Sequence, residues 1–232
     1  MIKEVYIMSI MCTVYVPDGI VLAADSRMTG NIMVKTPDGK TQQQGTFSIS
    51  DNAQKVFMLS KVKVGIASCG AAILENRTIS DFLRIFEINE VEQGDSVTDV
   101  AKKLQAYAYK HFPHVNFFVC GYDDEEPFVY DVSKELKRVN MDNGNIRYAS
   151  SWSGEQLAIT KLLNSQPPTP INHELMPLKD AVDFAEFLVD VTIKLQRFEM
   201  KPKTCGGDID VLVITKEGSF WHKHKLFKPS NK

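Results

Sequence analysis

The sequence predicts an α+β fold: a four-layer αββα sandwich of two mostly antiparallel sheets, built as a single domain over residues 1-232. Three observations predict it. The element patterns run strands, two helices, strands, two helices, strands, an order that puts one helix pair outside each of two stacked sheets. The helical segments carry single apolar stripes, so they cover a sheet and do not span anything. The run Ile20, Val21, Leu22, Ala23, Ala24 is apolar at every position, whereas a strand open to water on one face would alternate.

The elements follow in order. Residues 4–16, EVYIMSIMCTVYV, read as an opening strand, Pro17-Asp18-Gly19 as a turn and 20–24 as a covered strand. That strand ends in Asp25-Ser26-Arg27, so a carboxylate is delivered to the end of a core strand, where it needs a partner. Arg27 is one candidate and a lysine from elsewhere is another. Residues 28–50 read as an inserted hairpin or surface loop around the turn Pro37-Asp38-Gly39. Strands are expected at 55–59 and 62–68, running into the small-residue bend Cys69-Gly70-Ala71-Ala72. Small side chains there allow either a substrate or a packed helix to approach the backbone.

Ile79, Phe82, Leu83, Phe86 and their neighbours recur at helical spacing, and Ser96 is placed to cap a second helix striped by Val97, Val100, Ala101, Leu104 and Ala108. Strand patterns then occupy 115–123, 127–133, 136–142 and 146–152. A helix over 153–164 has Ser153 as candidate cap, and a long amphipathic helix covers 178–198. The chain closes on a buried strand, a Glu217-Gly218 turn and a final strand reaching Leu226. The best candidate linker, 166–175, lies inside the second helix pair, which favours one domain.

Composition narrows the function classes. At 232 residues the chain can bury roughly 70–75% of its unfolded surface. A net charge of −2, with no basic stripe, gives no electrostatic reason to expect nucleic acid or an anionic membrane as partner. Nothing approaches eighteen consecutive apolar residues, and MIKEVYIMSIM has a glutamate where a secretion signal carries positive charge, so a cytoplasmic location is expected. Cys12, Cys69, Cys120 and Cys205 are isolated and read as buried reduced thiols. His222 and His224 alternate to one face without a third ligand nearby, and Trp152 and Trp221 read as packing residues. No cofactor and no metal are called for.

The segment 9–27, SIMCTVYVPDGIVLAADSR, resembles the opening of a proteasome-type subunit of the N-terminal-nucleophile (Ntn) hydrolases. In that family the mature chain starts with a threonine sixteen residues before an aspartate in a DGVVLAADSR-like segment; here that aspartate is Asp25 and the start corresponds to Ser9. The resemblance implies threonine-type peptidase chemistry carried by Ser9, with Asp25 and Lys55 (in DNAQKVFML) as supporting charges. Ser153 (in SSWSGEQ) matches the serine that supports the amine, and Gly70 is the candidate oxyanion donor. The family's Asp-x-x-Ser-Gly-Gly segment is PKTCGG here, with Pro202 for the aspartate and Cys205 for the serine. The 28–50 stretch is longer than in typical subunits.

An N-terminal nucleophile uses its own α-amine as base, because that amine has a pKa near 7.7–8.0 against about 10.4 for lysine. Translation from Met8 followed by methionine removal exposes Ser9, and translation from Met11 exposes Cys12, where MCT resembles the cysteine-type branch that includes bile-salt hydrolases. Self-cleavage after Met8 is a third route, although processed proteasome subunits carry glycine there. The resemblance therefore implies a peptidase or amide hydrolase acting on a peptide or small amide and assembled as a homo-oligomer or ring, with any ATPase partner unidentified. A non-catalytic subunit acting in assembly or as a scaffold is the alternative.

Overall fold

The computed structural model describes residues 9–74, 77–109, 112 and 114–225. The part of the opening strand expected before residue 9 and the last residue of the final strand lie outside them. The first half of the chain contains β1 (Ile10–Val16), β2 (Gly19–Ala24), β3 (Met28–Lys35), β4 (Thr41–Ser50), β5 (Val56–Leu59), β6 (Val64–Gly70), β7 (Ile73–Leu74), β8 (Arg77–Thr78), α1 (Ile79–Asn89) and α2 (Val97–Tyr109). The second half contains β9 (Val115–Asp123), β10 (Glu126–Val132), β11 (Leu136–Arg138), β12 (Met141–Asp142), β13 (Asn145–Ile146), β14 (Ala149–Gly154), α3 (Leu157–Leu163), α4 (Leu178–Gln196), β15 (Asp210–Ile214) and β16 (Ser219–Lys223).

The molecule is a mixed α/β protein with four helices and several antiparallel sheets among its described residues. One five-stranded sheet has the order β14-β1-β2-β15-β16 and the other β11-β10-β9-β6-β5. Side-chain alternation divides β1 and β2 between two cores. Ile10, Cys12, Val14, Val21 and Ala23 pack with Ala181, Ala185, Leu188 and Val189 of α4. Met11, Tyr15, Ile20, Leu22 and Ala24 pack with Val56, Ala67, Phe118 and Cys120 of the second sheet. All thirteen residues of the two strands are buried, which is why 20–24 carries no polar alternation. A third cluster joins Phe82, Leu83 and Phe86 of α1, and Val100 and Leu104 of α2, to Ile66, Phe117 and Val119.

Local chemistry sets the element ends. The Thr78 hydroxyl caps α1 by accepting the Asp81 N–H. Ser96 and Asp99 form a reciprocal box at the start of α2, the hydroxyl accepting the Asp99 N–H at 3.1 Å and the carboxylate accepting the Ser96 N–H at 3.2 Å. Ser153 does not cap α3: it lies inside β14, and Gln156 occupies the cap position without a side-chain bond. The strands expected at 55–59 and 62–68 are found at Val56–Leu59 and Val64–Gly70, because the turn between them extends through Lys63 at φ 53°. The strand expected over 136–142 is broken at Asn140. Its buried side chain bonds the Val129 N–H and the Pro127 carbonyl of β10, where a straight ladder would use backbone.

Residues 28–50, for which the sequence left a hairpin or a surface loop open, form a hairpin. β3 and β4 pair with one another in a separate two-stranded sheet, and the turn is closed by Gly39 N–H to Thr36 O at 2.9 Å. His224 is stacked on Trp221 at 3.8 Å between ring centroids and bonds Asp210, so this histidine serves packing.

Candidate active site

The pairing of β1 with β2 sets Met11 opposite Ala24, which brings Ile10, the first residue of β1, and Asp25, the residue after β2, side by side. Asp25 thus continues the ladder with its side chain: its N–H reaches the Ile10 carbonyl at 3.2 Å, and its Oδ1 accepts the Ile10 N–H at 3.1 Å. Oδ1 also accepts Lys55 Nζ at 2.7 Å. Oδ2 accepts the backbone N–H groups of Arg27 at 3.1 Å and Gly206 at 3.0 Å. The carboxylate is fully enclosed and the Lys55 side chain is 3% exposed. Three backbone donors and one cation offset the cost of removing this charge from water.

Of the two partners the sequence left open for Asp25, the lysine takes the place. The Arg27 guanidinium turns to Asp51, with bonds of 2.6 and 2.9 Å, and that pairing raises the arginine pKa and lowers that of Asp51. Asp51 follows the hairpin directly, so the hairpin's far end fixes where Arg27 points.

Lys55 sits immediately before β5, and its carbonyl accepts the Ser68 N–H at 2.9 Å and the Ser68 hydroxyl at 3.3 Å. That contact ties the lysine to β6 and to the bend that follows. Gly70 has φ +112°, and a Cβ there would lie 2.3 Å from the His114 carbonyl oxygen, so only glycine fits. Ser9, Ala53, Lys55, Ser68, Cys69, Gly70, Ala71, Ala72 and Ile79 line one small, half-open cleft. Small residues make up most of its wall.

Ser153 stands behind this cleft. Its hydroxyl oxygen accepts Asn116 Nδ2 at 3.2 Å and lies 3.4 Å from the Cys69 thiol, which donates to it. Next to it, Gly154 has φ +105°, and a Cβ would meet the Ser9 carbonyl at 2.1 Å. The Glu155 N–H then donates to that carbonyl at 2.8 Å. Ser9, Lys55 and Gly70 are brought together, Asp25 holds the lysine, and Ser153 supports the wall through Cys69.

Cys12 is kept out. It stands three residues after Ser9 in an extended chain, so it faces the helix side, where its thiol donates to the Ala185 carbonyl at 3.3 Å. Burial pushes that thiol's pKa up to about 12. Cys69 is pushed up to about 12 as well, and Cys205 is raised, in both cases by burial. Sequence reasoning missed Ser68 and Asn116. Asn116 had a signal, a polar residue opening an apolar strand, but its partner depends on how two sheets face each other. Among the described residues no group of three His, Cys, Asp or Glu side chains is placed to hold a metal ion. No described helix is long and apolar enough to cross a membrane.

No family model matches the sequence. Proteasome subunit beta 2 of Pyrococcus furiosus is 25% identical over 213 residues, covering 87% of this chain and 84% of that protein. Proteasome subunit beta 2 of Thermofilum pendens is 27% identical over 218 residues, covering 91% and 90%. The chain is similar to proteasome-type subunits. The similarity runs through nearly its whole length.

Proposed function

We propose that this proteasome-like chain is an N-terminal-nucleophile peptidase or amide hydrolase whose nucleophile is Ser9, with the three packing clusters forming a four-layer αββα sandwich. One observation carries the proposal: Ser9, Lys55 and Gly70 line one cleft, and Lys55 is paired with the buried Asp25. With Ser9 as first residue, its α-amine accepts the hydroxyl proton as Oγ attacks the carbonyl carbon of an amide. Lys55, held in place by Asp25, favours the ionised hydroxyl by its nearby positive charge, and the backbone N–H at Gly70 stabilises the oxyanion. Collapse of that intermediate breaks the C–N bond. The leaving amine takes the proton from the α-ammonium, and water then hydrolyses the Ser9 ester.

The chain in this reading is cytoplasmic and assembles as a homo-oligomer, in keeping with the subunit character of its relatives. A second reading, a non-catalytic subunit for assembly or scaffolding, is favoured by Pro202 and Cys205, which replace the aspartate and serine of the resembled segment. In the sequence Ser9 follows Met8, and an amide nitrogen is no base, so the two readings part at the mature N-terminus. The N-terminal peptide and intact mass of protein purified from its own source test this. A chain beginning at Ser9 is expected; one beginning at Met1 selects the non-catalytic reading, and one beginning at Cys12 overturns the assignment of Ser9.

A further inference from the structure

We infer that Gln196, the last residue of α4, is the positioning residue that replaces the missing aspartate and serine and holds the 204–207 loop against Asp25. Gln196 occupies the final place of the buried stripe Ala181, Val182, Ala185, Leu188, Val189, Thr192, Gln196 and is 2% exposed. A long amide at the end of an apolar stripe is costly to bury unless its polar atoms are met. Here they are met by a single loop. Oε1 accepts the N–H groups of Thr204 and Cys205, both at 2.9 Å, and Nε2 donates to Thr204 Oγ1 at 3.0 Å.

The next N–H along that loop, from Gly206, is the one donated to Asp25 Oδ2, and the Gly206 carbonyl accepts the Ser26 N–H at 2.9 Å. Three successive N–H groups are therefore aimed by two side chains, two at Gln196 and one at the carboxylate. The same network reaches Ser9 from its other side. Thr204 Oγ1 donates to Glu155 Oε1 at 3.2 Å, Lys201 pairs with the second Glu155 oxygen, and the Glu155 N–H holds the Ser9 carbonyl. Cys205, which stands where the resembled segment has its serine, is buried in the cluster that packs against α4. The loop keeps its two glycines and is held at Thr204 and Cys205 by the end of α4 and at Gly206 by Asp25 and Ser26.

The catalytic meaning of this placement rests on the hydrolase reading, but the placement is testable without activity. In full-length protein carrying 13C-carbonyl cysteine and 15N-glycine, only the peptide bonds 69–70, 120–121 and 205–206 join the two labels, so the Gly206 N–H is observed among three signals. D25N identifies it as the signal that moves upfield when the carboxylate is removed. In Q196M, which keeps side-chain length and packing, the Gly206 signal is expected to move most of the way to its D25N position. In Q196E, which keeps an acceptor oxygen, it is expected to stay near wild type. A folded Q196M with an unmoved Gly206 signal overturns the proposal.

Should Q196M not fold, amide exchange in the wild type decides: Thr204, Cys205 and Gly206 are expected to exchange with the last turn of α4, and rapid exchange of Gly206 alone refutes the link. In protein with Ser9 at its N-terminus, Q196M should slow covalent labelling of Ser9 by about 10- to 100-fold, the penalty of misplacing a site by up to an ångström. If wild-type Ser9 is not labelled, the hydrolase reading fails while the Gly206 signal still decides the role of Gln196.

Discussion

Replacing Lys55 by methionine isolates the pair at the centre of the site. The change keeps the side-chain length and removes the cation 2.7 Å from Asp25, where neither side chain is more than 3% exposed. Breaking a buried pair from one side costs about 3–5 kcal/mol, because a charge is left without its partner. Asp25 retains the N–H groups of Ile10, Arg27 and Gly206, so the expected loss lies at the lower end, about 3 kcal/mol. For a chain of this size that corresponds to a Tm lower by about 6–12 °C.

D25N should cost at least as much, since it buries an unpaired lysine and turns an amide N–H₂ toward existing donors. The double variant D25N/K55M should be less destabilised than the sum of the single changes, by about 2–3 kcal/mol. Urea unfolding at fixed protein concentration measures all four proteins. If K55M lost less than about 1 kcal/mol, or if the two changes were additive, the pair would not be the buried, coupled unit described here.

Two further outcomes are expected. G70A should lose at least about 2 kcal/mol, because it combines a left-handed backbone with a Cβ 2.3 Å from the His114 oxygen; a loss under about 0.5 kcal/mol by urea unfolding would mean the bend relaxes freely. His173 is half-buried with its pKa lowered, first by burial and also by nearby Arg147, and its ring meets Ser150 and Phe184. The unfolded chain therefore takes up this proton first, so stability is fully present above about pH 6.5 and is lost as pH falls toward the lower folded value. Melting temperatures across that window should fall less steeply in H173F than in wild type, and equal slopes would remove His173 from the account.

The sequence carried the centre of the site well and its edges poorly, for physical reasons. Asp25 stood out because a carboxylate directly after a five-residue apolar run must be met inside the protein, and it is met by Lys55. Gly70 stood out because small residues clustered where a strand had to end. The Arg27 choice was not legible, since Asp51 reaches it only after a hairpin of unknown path. Ser153 matched an N-cap by position, but the left-handed Gly154 keeps it in β14, opposite Met11. The placement of Cys12, the alternative nucleophile, is legible from strand geometry: three residues from Ser9 in a strand means the opposite face. Gln196 showed itself only as a polar residue ending an apolar stripe, and its partners lie in a loop without periodic pattern.

Covalent capture at Ser9 tests the central claim most directly. Protein with Ser9 as its first residue is treated with a peptide epoxyketone, a probe that needs a hydroxyl and a free amine on the same residue, and the adduct is mapped by peptide mass. One adduct on the N-terminal peptide, absent in S9A, is the expected result. A folded chain that begins at Ser9 and remains unmodified would contradict it, and would leave the cleft between Lys55 and Gly70 as a proteasome-like remnant without chemistry.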